Sequence, residues 1–426
     1  MLTVEEALQK ILDAVGVLDA ESAPIMDTLG QVLAEDIVSE ITVPPLDNSA
    51  MDGYAVRSED TQGASPETPR TLKVIDTVIA GDISKKEVTP GTAIRIMTGA
   101  PVPWGADSVV QFENTDDAKN KDASLNQTPE QVNIFAATTP GQNIRHSGED
   151  VAKGKIVLKK GTVIRPAEIG LAASIGRSRV RVIRRPVVAV LSTGNELTEL
   201  DKPLSAGKIY DSNSYSIAAL VKRFGCIPKI LDIARDNEKE LVKKLKQAQD
   251  TDMLLTTGGV SMGDYDMVKD ILARDGEMVF WKVRVKPGKP LAFGKIKAKD
   301  KNGKPKIIPH VGLPGNAASC MVSFELFVRP ALLKMMGKHN LAKPTVTAII
   351  EDTVKNDAGR RIYDRAIIEK RNGHYYARLT GPQGSGMITS MSMANGLVLI
   401  PEENGGVKKG DTVQALMLDW NEEVNI

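Results

Sequence analysis

The sequence predicts a multidomain α/β plus β protein, and three observations lead there. From about Pro186, aliphatic runs such as PVVAVLSTGNEL and DMLLTTGGVS alternate with amphipathic stretches. That is the grammar of a parallel sheet covered on both faces. From about Pro44 to Pro140, short β-type runs alternate with Gly, Pro and Asp, which reads as a β-rich module. After about Asn340 the text is β again, with Asn372-Gly373 between alternating runs. Such a pair marks a hairpin, so a small barrel or sandwich is expected.

The elements follow in order. In MLTVEEALQKILDAVG, Thr3 and Glu6 match a capping box, and Val4, Ala7, Leu8, Ile11, Leu12 and Val15 share one helical face. TLKVIDTVIAG, TAIRIMTGAPVP and ADSVVQFEN are strands of the β-rich module, and residues 115–131 form a polar loop. GKIVLKKGTVIRPAEIGLAASIG returns to a strand and a helix. Neither it nor the first helix has a core of its own, so the two pack together and the β-rich module is an insertion. In DSNSYSIAALVKRFG, Ile217, Leu220, Val221 and Phe224 line one face, with Asp211 to Ser214 as cap candidates. PKILDIARD is a strand, NEKELVKKLKQAQ a helix with Leu241, Leu245 and Ala248 inward, and YDMVKDILARDG another helix.

Composition narrows the function classes. A formal net charge of +1 gives no push toward nucleic acid or an anionic membrane, so anion binding must be local. Two cysteines far apart argue against a disulfide framework, and the four histidines lack metal-ligand spacing. The acidic N-terminus is no signal peptide, and no apolar run approaches the ~18 residues of a membrane span. A reducing cytoplasm is the expected compartment.

Several motifs carry chemistry. In open α/β sheets the ligand sits beyond the carboxyl ends of the strands, which selects Thr193–Glu196, Asp236 and the 258–266 segment. Gly194 in STGNEL lets backbone approach a ligand, with Glu196 projecting; the alternative is a plain strand-to-helix turn. In LLTTGGVSMGDYD, Gly258 and Gly259 offer amides for an oxyanion, Thr257 and Ser261 add hydroxyls, and Asp264 and Asp266 suit Mg²⁺. The bland alternative is a capped βα loop. Lys286 and Lys289 flank a Pro-Gly turn that is either an anion site or a solvated tip. HVGLPGNAASC is a strand, a Gly-Pro loop and a helix start at Asn316 or Ser319, suited to phosphate or to capping alone. Arg95, Thr98 and Gly99 precede a proline turn. His146 reads as a surface residue, and GMITSMSMANG reads as packing, with Ser385 and Ser390 able to line a cleft. PPLDNSAMDGYAV holds two close acids, Asp47 and Asp52, and residues alone do not choose between them. No nucleophile stands beside a partner base, which disfavours a Ser-His-Asp hydrolase.

PPLDNSAMDGYAVR, IRIMTGAPVPWGAD, IRHSGEDV, STGNEL, GKIYDSNS, TTGGVSMGDYD, VKPGKPLAFG and GLPGNAAS together resemble the successive motifs of the MoeA family of molybdopterin molybdenumtransferases. They stand in the family's order and span nearly the whole chain. The resemblance implies insertion of molybdenum from molybdate into adenylylated molybdopterin, with AMP released, molybdenum cofactor formed and Mg²⁺ assisting. It implies an elongated homodimer of four-domain chains, with no nucleic-acid or membrane partner. Candidate partners are the molybdopterin adenylyltransferase and molybdoenzyme-delivery proteins. The expected domains are a linking domain of residues 1–20 and 145–184, the inserted β-rich domain 21–144, the molybdopterin-binding domain 185–338 and a β barrel from 339 to 426.

By the same resemblance Asp52, Thr98, Glu196 and Asp266 are the catalytic candidates. Asp236, Gly258, Gly259, Ser261, Lys286, Lys289, Pro314, Ser319, Arg365 and Ser385 are substrate-binding, with the lysines near molybdate and Arg365 facing the same cleft. Glu196, Asp236 and Asp266 are the metal candidates. Asp52 would reach the α/β site of the other subunit. Ala317 and Ala318 stand where the family usually has Pro-Val, and Asn195 where it frequently has aspartate. Two other classes compete. A receptor-clustering scaffold like gephyrin usually brings a fused domain and a long linker. An adenylyltransferase of the related fold is essentially the α/β domain alone.

Overall fold

The structure is a computed structural model describing residues 1–119, 128–235, 237–258, 276–299, 303–356, 359–403 and 405–419. The chain divides into two compact units. The larger comprises Met1–Ser22, Gly30–Ala34 and Arg181–Ile426, and the smaller Ala23–Leu29 and Glu35–Val180.

A six-stranded sheet organises the larger unit. Its order is Ile227–Ile230, Val187–Ser192, Met253–Thr257, Pro305–Leu313, Pro290–Lys299 and Gly276–Lys282. The first four strands are parallel. Residues Val188, Val190 and Leu255 pack on one face with Ile217, Val221 and Phe324. Ala189, Leu191 and Leu254 pack on the other with Leu231 and Leu241. Burial on both faces explains the continuous aliphatic runs. The last two strands run antiparallel and extend this sheet. The sequence does not announce that extension, because GKIKAKD and GKPK put lysines through it and mask its apolar residues.

The N-terminal helix Val4–Asp13 forms as its cap predicts: the Thr3 hydroxyl accepts from the Glu6 amide at 3.1 Å and Glu6 accepts from the Thr3 amide at 2.8 Å. Val4, Ala7 and Ile11 bury against the same core as the sheet. Helix Ser212–Arg223 starts at Asp211, whose carboxylate accepts from the Ser214 amide at 3.0 Å. Beyond residue 344, five strands close into a barrel. Arg361–Arg371, His374–Leu379, Thr345–Ile350, Thr412–Met417 and Gly396–Ile400 pair in turn, and the last returns to the first. Asn372 and Gly373, at φ 49° and 83°, make the tight turn the sequence announced. The short strand Val285–Lys286 adds to this barrel, parallel to Arg361 and Ile362.

The smaller unit is built on a five-stranded sheet ordered Ser108–Gln111, Gly53–Val56, Thr92–Ile96, Arg70–Val78 and Gln131–Ile134. Strict alternation buries Tyr54, Val56, Val110 and Val132 on one face and Ala55, Ile94, Ile96 and Val109 on the other. No helix among the described residues is long and apolar enough to cross a membrane.

Candidate functional site

The parallel strands of the larger unit end at a cavity of about 200 Å³ lined by Thr193, Glu196, Asp211, Asn213, Thr257, Gly258, Gly315, Asn316 and Ala317, among others. This is where a ligand belongs in such a sheet. Glycines make the approach possible. Gly258 sits at φ +84°, and a Cβ there would lie 2.7 Å from the Thr193 carbonyl oxygen. Its amide donates to the Leu313 carbonyl at 3.2 Å, so this glycine supplies access rather than a free oxyanion donor. Gly315 packs against it, its Cβ position 3.5 Å from the Gly258 Cα.

Glu196 is exposed at the cavity, and its carboxylate leans over Gly194, a residue at φ +148°. Two cations fix that loop through its carbonyls. Arg235 donates to the Leu197 oxygen at 2.7 Å and Lys208 to the Asn195 oxygen at 2.5 Å. Asp211 is buried, and its carboxylate accepts from the Ser192 hydroxyl at 2.8 Å as well as from the Ser214 amide. Ser192 also lies 2.7 Å from the Ser214 hydroxyl and 2.8 Å from that of Thr257. Asn213 donates to the Gly315 carbonyl at 2.7 Å, leaving its Oδ1 buried without a hydrogen-bond partner among the described residues. By sequence Asp211 and Asn213 are cap candidates. Their place on the cavity wall was readable from GKIYDSNS, where polar residues sit between a βα loop and an apolar helix face.

The loop after Leu313 joins the same wall. Pro314 is buried. The Asn316 amide group donates to the Ser385 hydroxyl at 3.0 Å, and the Ser319 amide donates to the Ser385 carbonyl at 3.2 Å. Ser385 therefore acts as a brace, while Gly386 and Ile388 from its segment reach the cavity. Helix Ala317–Ser323 begins on the two alanines, both comfortable in a helix.

The Lys286–Lys289 turn is set by Gly288, at φ +107°, where a Cβ would come within 2.6 Å of the Ser323 hydroxyl. The turn thus presses against the helix that carries Ser319. Lys286 is exposed and Lys289 half-buried, and neither ammonium has an ion-pair or hydrogen-bond partner among the described residues. Arg365 departs from the expectation that it faces a cleft. It is 0% exposed; its Nε donates to Ser390 at 3.0 Å and its Nη2 to the Gly384 carbonyl at 2.9 Å. Burial pulls its pKa below the usual arginine value. Its place makes it the anchor of the 383–390 segment. The alternating run RIYDRAII gave no hint of which charged residue turns inward.

In the smaller unit the two acids of PPLDNSAMDGYAV separate. Asp52 Oδ1 accepts from both the amide and the hydroxyl of Thr98, at 2.7 and 2.8 Å. The Ser49 and Gly99 backbones bond at 2.8 Å and hold these two segments together. Asp47 instead accepts from the Ser147 amide at 2.7 Å and lies 3.2 Å from His146 Nδ1. The Ser147 amide above all holds the Asp47 carboxyl below the usual range; burial opposes it, and His146 adds to the lowering. Arg95 is buried, 3.4 Å from Asp117 and over the Phe112 ring, so it serves this unit's core.

Asp236, Gly259, Ser261 and Asp266 lie outside the described residues, as do Asp264 and the expected helix from Tyr265. Among the described residues no group of three or more His, Cys, Asp or Glu could hold a metal ion. The cavity nonetheless fits a hard cation. Mg²⁺ takes oxygen ligands and needs only one or two carboxylates. The oxygens on its wall that could serve are the Glu196 carboxylate, the Asn213 Oδ1, which has no hydrogen-bond partner among the described residues, and the Thr193 and Thr257 hydroxyls.

Comparison with known proteins gives a consistent answer. Residues 2–176 match the MoeA N-terminal region (domain I and II), residues 189–334 the probable molybdopterin binding domain, and residues 347–418 the MoeA C-terminal region (domain IV). The chain is 38% identical to molybdopterin molybdenumtransferase 2 of Mycobacterium tuberculosis, over 97% of this chain and 99% of that one. It is 36% identical to the molybdopterin molybdenumtransferase of Haemophilus influenzae, over 97% and 98%. A crystal structure of the molybdopterin biosynthesis MoeA protein from Pyrococcus horikoshii superposes with a TM-score of 0.77 at 32% identity, covering 98% of this chain and 100% of that one.

Proposed function

The chain belongs to the MoeA family of molybdopterin molybdenumtransferases, transferase enzymes of molybdenum cofactor biosynthesis, and from that premise we propose its reaction in detail. It transfers molybdenum from molybdate to the dithiolene of adenylylated molybdopterin, releasing AMP. The observation that carries this reading is the cavity at the carboxyl ends of the parallel strands, where Glu196, Asp211 and Asn213 meet two closely packed glycine backbones. A nucleotide phosphate can approach backbone there without meeting a Cβ.

The residues divide the work. Lys286 and Lys289, on a turn that Pro287 restricts and Gly288 lets pack against Ser323, bind the molybdate dianion. Ser319 and Pro314 shape the wall between that turn and the cavity. Ser385 and Arg365 position the segment that closes it. Glu196 and Asn213 would hold Mg²⁺, with Asp236 and Asp266 as further carboxylates from the motif match. Neutralisation of phosphoanhydride charge is the chemistry Mg²⁺ supplies when bound. Asp52, fixed by Thr98, belongs to the same reaction through its motif. Gly258 leaves room for the substrate phosphate, and Gly259 and Ser261 are assigned to it from the motif. Catalysis is then positioning plus electrostatics, with no covalent enzyme intermediate. The working form we assign is a cytoplasmic homodimer.

The test is AMP release and cofactor formation from adenylylated molybdopterin and molybdate, with Mg²⁺ present or chelated. Wild type should need Mg²⁺, and Glu196→Gln and Lys286→Ala should each lose activity. Near-normal turnover in both variants would overturn the residue assignment. Consumption of ATP with free molybdopterin would point to an adenylyltransferase instead.

A further inference from the structure

One buried carboxylate stands apart from everything described so far. Asp364 is 4% exposed on strand Arg361–Arg371, and its carboxylate has no hydrogen-bond donor among the described residues. Leaving an ionised carboxylate buried and undonated is costly, so a charge partner is expected. The register supplies one. Lys286 pairs directly with Ile362 in a parallel ladder. Residues two apart on a strand share a face, so Asp364 is the diagonal neighbour of Lys286, within reach of a long side chain. Burial pushes the Asp364 carboxyl up, while Arg365 and then Lys286 pull it down. Arg365 is the next residue on the strand, and its guanidinium is engaged with Ser390 and Gly384. Those two partners are neutral, so Arg365 keeps its charge and is the stronger influence on Asp364, but it is fully buried; of the two cations only Lys286 is exposed to an arriving anion. Lys289, at the other end of the turn, makes no ion pair among the described residues and is half-buried.

We propose that Asp364 is a built-in counter-charge to Lys286 that sets the strength of the turn's oxyanion site. It is a positioning residue that acts through Lys286, and the inference rests on reading the Lys286–Lys289 turn as the molybdate site. With Asp364 ionised, an arriving dianion meets an ammonium that is already partly neutralised. Affinity is held down, so the site can load and release. The two lysines are unequal: Lys289 supplies the steady attraction and Lys286 the adjustable one.

The experiment is calorimetric binding of molybdate alone to the full-length protein at fixed pH 7.5 and low ionic strength. Wild type, Lys286→Ala, Asp364→Asn, Asp364→Gln and the double variant Lys286→Ala/Asp364→Asn are compared, each first checked by thermal melting. Asp364→Asn should tighten binding by roughly threefold to tenfold, as loss of a nearby screened charge would. In the Lys286→Ala background the same change should have no effect, since the partner is gone. Damage to the fold would weaken binding, so the expected sign separates the two. Asp364→Gln serves if Asp364→Asn does not fold, and should also tighten binding. Unchanged or weaker binding in the folded Asp364 variants, with Lys286→Ala clearly weakened, overturns the inference alone. Unchanged binding in Lys286→Ala overturns the reading of the turn, and the inference with it.

Discussion

Glu196 in the larger unit and Asp52 in the smaller one are both acids on loops beside a strand, yet they are held in opposite ways. Around Glu196 the backbone is fixed: Arg235 and Lys208 grip the loop carbonyls, while the carboxylate rests on Gly194 with no donor among the described residues. Around Asp52 the carboxylate itself is fixed, by two donors of one threonine. Each acid also has a neighbour wholly engaged by its surroundings. Asp211 caps a helix, and Asp47 ties down the 146–147 turn. The difference teaches that two acids close in sequence need not share a task. An open carboxylate can turn toward a cation, whereas a pre-set one can only present a fixed oxygen.

The largest effect should come from removing the open acid's charge. Glu196→Gln is expected to lower turnover by about 100-fold or more, in the range of losing one charge-stabilising group, with an unchanged melting temperature. A normal rate would break the distinction between open and engaged acids. Next, Gly194→Ala should cost about tenfold in rate, because its Cβ would fall 2.4 Å from a Glu196 carboxylate oxygen and push it aside. Its melting temperature should fall as well, by the equivalent of about 1–3 kcal/mol, because φ +148° is a conformation left to glycine. Thr98→Val should follow at roughly tenfold or less, through a loosened Asp52, and Thr98→Ser should restore most of the rate. Asp211→Ala is expected to act on stability instead, by about 1–2 kcal/mol as a lost N-cap with a buried hydroxyl network.

Asp47→Asn should be the mildest at neutral pH, with activity within about twofold of wild type because its oxygens face only the local turn. Its signature is in acid. A carboxylate with a depressed folded pKa stabilises above its unfolded value near 4 and loses that stabilisation as pH falls through the folded value. The wild-type smaller unit should therefore lose local hydrogen-exchange protection at residues 45–47 and 146–149 below about pH 4. In Asp47→Asn that acid-dependent step should be absent.

Much of this was legible in the sequence where local chemistry decides the outcome. The Thr3–Glu6 cap, the Asn372-Gly373 turn and the aliphatic strands depend on neighbours a few residues away. So does the place of the cavity, since strand ends follow from strand assignment. The separate settings of Asp52 and Asp47 were not local: Thr98 and Ser147 lie 46 and 100 residues away from their acids. The inward turn of Arg365 was hidden because an alternating strand such as RIYDRAII fits either face until its partners are known. The antiparallel extension was hidden by lysines, whose long stems can cover apolar surface while their charges remain in water.

The strand Val285–Lys286 has a consequence for how such proteins can be recombined. It leaves the six-stranded sheet and is stitched to the barrel through Arg361 and Ile362. A barrel borrowed from a relative would arrive with its own residues opposite the lysine turn, and the turn would inherit a foreign electrostatic setting. The modules are therefore not interchangeable parts. If the turn binds oxyanions as proposed, a chimera joined near residue 340 should fold from both parents and still miscalibrate that binding, unless residues 285–289 and 361–365 travel together as one cassette.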